Sequence, residues 1–325
     1  MNRPIIQKFI KPNILLAVML LLLFMGGWVF NYVCFRDTYA GSVSGIDAFI
    51  SNAGWHILII VGITFLNLVI VATINRKYAI IRVRTFIPVF LYALFITTWK
   101  RSHGLIYPHI ATFLFLISLM LFLSMYKNKN AVVPSFWGSL LIALSGLLNP
   151  VYLLVIPVVW IGFAQQECLS VKVWLASVMG VIVPWLFFFS YHLYKGNEIL
   201  IFKEFWLNLN PLEIITSFSA IEKIYIVVLI FIFIISLIGI YSNLLKDSLQ
   251  TRKRISYFVL NFALLLLLNL FSSDNALAFL PFTAYFIAML IAHPFSLNQS
   301  RFFDVLFFIM CLIHALYMYL NCFVF

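Results

Sequence analysis

With 325 residues, 64% of them hydrophobic and only 10% charged, the chain has no segment long and polar enough to fold as a separate soluble domain. Its formal charge of +11 is scattered through short connectors rather than gathered on a stripe, which argues against a nucleic-acid partner and reads as a topology signal. Eight Trp, 15 Tyr and 35 Phe suit bilayer packing and interfacial belts, so the expectation is all-α: a polytopic transmembrane helix bundle, one integral membrane domain over residues 1–325.

A spanning helix needs roughly 20 consecutive apolar residues to cross about 30 Å of hydrocarbon. The run Ile14 to Val33 meets this without a charge, and Ile224 to Leu245 does so again. Arg3 and Lys8 ahead of the first run mimic a signal peptide. That run is longer than an ordinary signal core and more follow, so a retained first helix is expected, with its amino end in the cytoplasm. Span one is then about 13–34, two about 55–74, three about 86–99 and four about 108–126. Two short limbs, about 132–148 and 151–165, hinge at Asn149–Pro150 and form either two crossings or a re-entrant hairpin. Spans at about 173–194, 223–245, 255–271, 276–292 and 302–323 complete ten or eleven crossings. Of the 21 Lys and Arg, fifteen then fall in inner connectors and six in outer ones, as the positive-inside rule requires.

Pro88, Pro134, Pro157, Pro184 and Pro281 sit in or at the ends of these spans, where each removes a backbone donor and bends or starts a helix. Cys34, Cys168, Cys311 and Cys322 fit neither a metal motif nor a disulfide framework. Only Cys34 and Cys322 fall near one surface, where a bridge would need the first and last helices to touch. No internal repeat is evident.

The outer connectors hold the groups that could do chemistry. The first, about 35–54, contains Arg36, Asp37 and Asp47 among Gly, Ser and Thr. The second places Lys100, Arg101, His103, Tyr107 and His109 within eleven residues. A phosphate or pyrophosphate headgroup would find donors and countercharge there, although snorkelling cations beside interfacial Trp99 and Tyr107 would look the same. The third, about 195–222, repeats Ile199, Phe202, Trp206 and Leu209 at helical spacing before Pro211. It reads as an amphipathic helix in the outer interface, either a roof over a cavity or a plain anchor.

Ionisable residues at membrane depth are functional hypotheses by default. His314 falls near the middle of the last span, as the acceptor or donor of an interhelical hydrogen bond or as a proton relay. Asp304, ten residues earlier and therefore about 15 Å away along one helix, pairs with Arg301 or a basic connector instead. Asn67, Asn149, Asn261 and Asn269 read as interhelical glue. No phosphate-cradling Gly loop, His/Cys metal spacing or nucleophile elbow is present.

From Arg101 to Leu193 the chain carries a Tyr-Pro before a span, the break Gly-Leu-Leu-Asn-Pro-Val-Tyr, an Ile-Gly-Phe ending and then Val-Lys-Val-Trp-Leu-Ala-Ser-Val-Met-Gly-Val-Ile-Val-Pro-Trp. Together with the late Asn-Ala-Leu-Ala-Phe-Leu-Pro, this resembles an uncharacterised polytopic inner-membrane family of Bacteroidota, whose members are sometimes labelled beta-carotene monooxygenases. Such oxygenases resemble soluble propellers with four iron-binding His, whereas the six His here are scattered along the chain. A more distant similarity is to membrane glycosyltransferases that use polyprenyl-linked sugars. That similarity implies an acid in the first outer loop, which Asp37 or Asp47 would match, and a roofing segment after span seven, which contains Trp206. Its implied chemistry is a general base at one of those acids, with a divalent metal ion as the one cofactor to consider. Lys100, Arg101 and His103 would neutralise the departing lipid phosphate.

The reading is therefore a bacterial inner-membrane protein of the cell envelope that handles a lipid-linked saccharide at the outer face, with glycosyl transfer as its chemistry. The alternatives are a non-catalytic scaffold or subunit of an envelope protein complex, and a small-solute transporter with a path through His314. Membrane lipids are partners in every version.

Overall fold

The computed structural model describes residues 24–30, 53–99, 105–196, 219–271, 276–298 and 300–323. Among these residues there is no strand, and the chain is all-helical. A helical piece at 24–30 is followed by α1 (Ala53–Tyr78), α2 (Ile87–Thr98), α3 (Tyr107–Leu123) and α4 (Val132–Leu148). A 3-10 turn, Pro150–Val155, leads into α5 (Ile156–Gln165), then α6 (Val171–Lys195) and α7 (Ala220–Asn243). A second 3-10 turn, Leu244–Lys246, precedes α8 (Leu249–Phe271), α9 (Ala276–Leu297) and α10 (Arg301–Phe323). Most of the first expected span, the first outer loop and the interfacial helix lie outside the described residues.

Among the described residues, five helices are long and apolar enough to cross a membrane: Trp55–Tyr78, Val171–Lys195, Ala220–Lys246, Ala278–Leu297 and Arg301–Leu320. In α6 only 22% of the apolar stretch is buried, and Val171, Trp174, Met179 and Phe187 face outward. In α9 the buried share is 83%. Water would not tolerate faces of that size, whereas hydrocarbon covers them at no cost. The apolar helices α2 to α5 are shorter, at 10–17 residues, so the number of crossings rests on more than length.

Helix ends follow local chemistry. Pro88 and Pro157 occupy first turns, where the missing N–H has no intrahelical acceptor to lose, while Pro184 lies inside α6. At the expected hinge, Asn149 is extended and its side-chain oxygen accepts from Val151 N at 3.1 Å, capping the 3-10 turn. Asn149 thus caps the 3-10 turn. Ser219 and Glu222 form a reciprocal capping box at the start of α7.

The helices divide between two compact units, Met1–Ile106 with Phe218–Ile255 and Ala284–Phe325, and Tyr107–Ser217 with Ser256–Thr283. In the second unit α4 packs along α6 through small residues. Ser135 Oγ donates to Val173 O at 2.7 Å, Ser139 and Ser177 hydroxyls meet at 2.6 Å, and Ser118 Oγ donates to Gly138 O at 2.8 Å. A Cβ on Gly180 would lie 2.4 Å from the carbonyl oxygen of Phe136, so this approach requires glycine. Trp160 Nε1 donates to Ser177 Oγ at 2.9 Å, and Tyr152 OH donates to Ala278 O at 2.9 Å while its ring stacks on Phe282.

Candidate functional site

A buried ionic cluster forms in the first unit where four stretches of chain converge: the end of α1 with its loop, the α7–α8 turn, the start of α8 and the end of α9. Local capping builds each piece. Ala79 leaves α1 with φ 47° and its N–H reaches Asn75 O at 3.1 Å. The Asn75 side chain then pins the loop, accepting from Ile81 N and donating to Thr85 O, both at 3.3 Å. Ile80 and Ile81 are buried by this fold-back, which leaves Arg82, Val83 and Arg84 exposed.

The α7–α8 turn is held as firmly. Asn243 Nδ2 donates to Gly239 O at 2.9 Å and to Asn298 Oδ1 at 2.7 Å, tying α7 to the residue after α9. Gly239 allows α7 and α9 to touch, since a Cβ there would lie 2.7 Å from Pro294 Cβ. The 3-10 turn then presents Asp247, and Ser248 caps α8 through Thr251 N at 3.2 Å.

Asp247 is the centre of the cluster. Its carboxylate has no solvent exposure, with Arg82 Nη1 3.7 Å from Oδ1 and His293 Nε2 3.3 Å from Oδ2. Neither contact has full hydrogen-bond geometry, so the Arg82 contact rests on charge rather than directed bonding. Arg82 Nη1 also donates to Lys246 O at 3.2 Å, and Arg252 Nε donates to Asp247 O at 2.9 Å. Arg254, buried, donates to Tyr78 O and lies over the Tyr78 ring at 5.2 Å. One buried carboxylate is thus surrounded by cations anchored on backbone carbonyls. Burying such a charge is costly unless it is paired, and a pair whose bonding is incomplete is sensitive to one more proton or one fewer cation.

A second constellation in the same unit encloses His314. Its imidazole is fully buried, 5.2 Å from the Phe95 ring and 5.4 Å from that of Tyr225, which stacks on Tyr317 at 4.0 Å and meets Trp99 at 5.7 Å. His314 Nδ1 donates to Met310 O at 2.7 Å, one turn back on its own helix. The expected interhelical bond is replaced by this intrahelical one, because an i−4 carbonyl is the nearest acceptor available to a ring in an apolar nest. Asn261 does the same, donating to Tyr257 O at 2.7 Å. Asp304 sits half-buried in the first turn of α10, where the helix dipole favours a carboxylate.

Of the residues expected to act, Asp37, Asp47, Lys100, Arg101, His103 and Trp206 lie outside the described residues. Tyr107 and His109 occupy the first turn of α3, Tyr107 half-buried and His109 fully buried. Cys168 and Cys311 are free thiols, and the considered pair Cys34–Cys322 lies beyond what is described. Among the described residues no group of three or more His, Cys, Asp or Glu is placed to hold a metal ion. Sequence reasoning passed over Asp247, which reads as one solvated acid in a basic connector. Its signal was being the only acid among Lys246, Arg252, Lys253 and Arg254.

No family model, no curated protein and no solved structure matches this chain.

Proposed function

We propose that the chain is a multi-pass protein of the bacterial inner membrane, amino end in the cytoplasm, that handles a lipid-linked saccharide at the outer face, with glycosyl transfer as its chemistry. The observation that carries the membrane part is the outward apolar face of α6, matched by exposed Leu, Ile and Phe along α7 and α10. Support for the substrate is the basic connector that ends at the amino terminus of α3. In sequence it carries Lys100 and Arg101, which offer an anionic headgroup donors and countercharge. In this reading Asp37 or Asp47 serves as the general base for the acceptor, or helps hold a divalent metal. Reporters fused after residues 45 and 104 should behave as periplasmic. Asp37→Asn or Asp47→Asn should deplete a periplasmic glycoconjugate, and unchanged glycans in both variants would remove the catalytic assignment.

A second reading, a non-catalytic subunit of an envelope complex, is favoured by the ionic cluster itself, whose buried carboxylate lies against Arg82 and His293 of this same chain. It predicts a stoichiometric partner recovered in gentle detergent and tolerance of substitutions at Asp37, Asp47, Lys100 and Arg101.

A further inference from the structure

The ionic cluster has a property that neither reading uses: the two basic partners of Asp247 differ in freedom. The Asp247 and His293 side chains are 0% and 2% exposed, held by the α7–α8 turn and by α9, whereas the Arg82 side chain is 38% exposed on a surface loop. Arg82 and His293 also address different oxygens of the same carboxylate, so either can act as its counterion while the other is displaced.

We propose that Asp247 and His293 form a buried proton-binding site in which a proton taken up by His293 replaces Arg82 as counterion of the carboxylate. Charge counting sets the direction. With Arg82 in place and the imidazole neutral, the three groups sum to zero. Adding a proton to the vacant ring nitrogen of His293 makes the sum positive in an enclosed site. Among the described residues, the other charged side chains on the stretches that form the cluster are cations: Arg252 on the Asp247 carbonyl, Arg254 on the Tyr78 carbonyl, and Lys246 in the turn. The Tyr78 ring lies under Arg254. No neighbour can absorb the extra charge, and a buried unopposed charge is costly. Arg82 can leave, because a long side chain at the surface extends its guanidinium to water or headgroups. Asp247 then remains paired, with His293 at Oδ2, and the Arg82 bond to Lys246 O is lost. No covalent bond is made or broken; the proton comes from solvent on the side where Arg82 is exposed. The site couples acidification to release of the α1–α2 loop.

The test uses the full chain in lipid nanodiscs, with Cys34, Cys168, Cys311 and Cys322 replaced by Ala and a spin label on Val83→Cys, a position 37% exposed on the loop. The mobile fraction of the label should rise as pH falls from about 8 into the acid range. His293→Gln, which keeps an amide donor toward Asp247, should abolish the response. Arg82→Gln should give a mobile loop at both extremes. Asp304→Asn, on α10, should leave the response as in the parent. A parent spectrum that does not change with pH, a response surviving in His293→Gln, or one lost in Asp304→Asn would each overturn the proposal. Should His293→Gln fail to fold, the surface variant Arg82→Gln decides alone, because a loop still titrating without Arg82 contradicts the exchange.

Discussion

The seam between α4 and α6 in the second unit and the ionic cluster in the first are both buried and both polar, yet they are built oppositely. Along the seam the polar atoms are hydroxyls of Ser135, Ser139 and Ser177, each satisfied by a carbonyl or by another hydroxyl at 2.6–2.7 Å. In the cluster the buried groups are ionic, and the two contacts to the Asp247 carboxylate run to 3.3 and 3.7 Å. Neutral, short and complete bonding makes an interface that does not respond to solution conditions. Charged and incomplete bonding makes one that does. Polarity inside an apolar bundle is therefore no single signal; whether the groups ionise and whether they are saturated decides what it means.

Four outcomes would sharpen or break this contrast. The largest effect is expected at Asp247→Ala, which leaves Arg82 and His293 without their anion. About 3–5 kcal/mol should be lost on thermal unfolding in detergent, and a loss below that of the seam variants would reverse the ranking. Next comes Gly180→Val, which drives a side chain into the Phe136 carbonyl 2.4 Å away. A cost of about 1–3 kcal/mol is expected by the same measurement.

Smaller still is the seam's hydroxyl pair. A double-mutant cycle of Ser139→Ala and Ser177→Ala should return a coupling of about 0.6 kcal/mol, unchanged between pH 5 and 8, and a coupling that varies with pH would contradict the neutral reading. The smallest effect concerns Cys168, between α5 and α6. Burial pushes its thiol up to about 11, so labelling by a maleimide should stay slow at neutral pH and accelerate only in strongly alkaline solution. The sign for stability follows: folding favours the protonated thiol, a contribution present below its ordinary value and lost as pH rises through about 11. Rapid labelling at neutral pH would show that the α5–α6 turn opens.

Much of the fold was legible because bilayer-length apolar runs and their punctuation are local properties. The reading of 132–148 for α4 coincides with Val132–Leu148, and the break at Asn149–Pro150 is where one helix ends and a 3-10 turn begins. The candidate outer-face site was read from Asp37, Asp47, Lys100, Arg101, His103 and Trp206, whose surroundings are not described, so its chemistry remains a proposal. His109 was read as a headgroup contact, and it is placed in the core of the second unit. An apolar flank on both sides of it, Tyr107-Pro108 and Ile110-Ala111, pointed that way.

Hydrophobic run length, proline position and the scatter of Lys and Arg belong to the chain one segment at a time, so the amino-acid order alone determined the all-helical class and where the described helices fall, although α1, α8 and α9 each run four to six residues past an expected end. Which charges meet does not belong to any segment. Arg82, Asp247 and His293 are separated by 165 and 46 positions, and only the packing of α7 against α9 through Gly239, with the loop folded back by Asn75, brings them together. Electrostatic energy depends on distance and on exclusion of water, and both are set by tertiary structure.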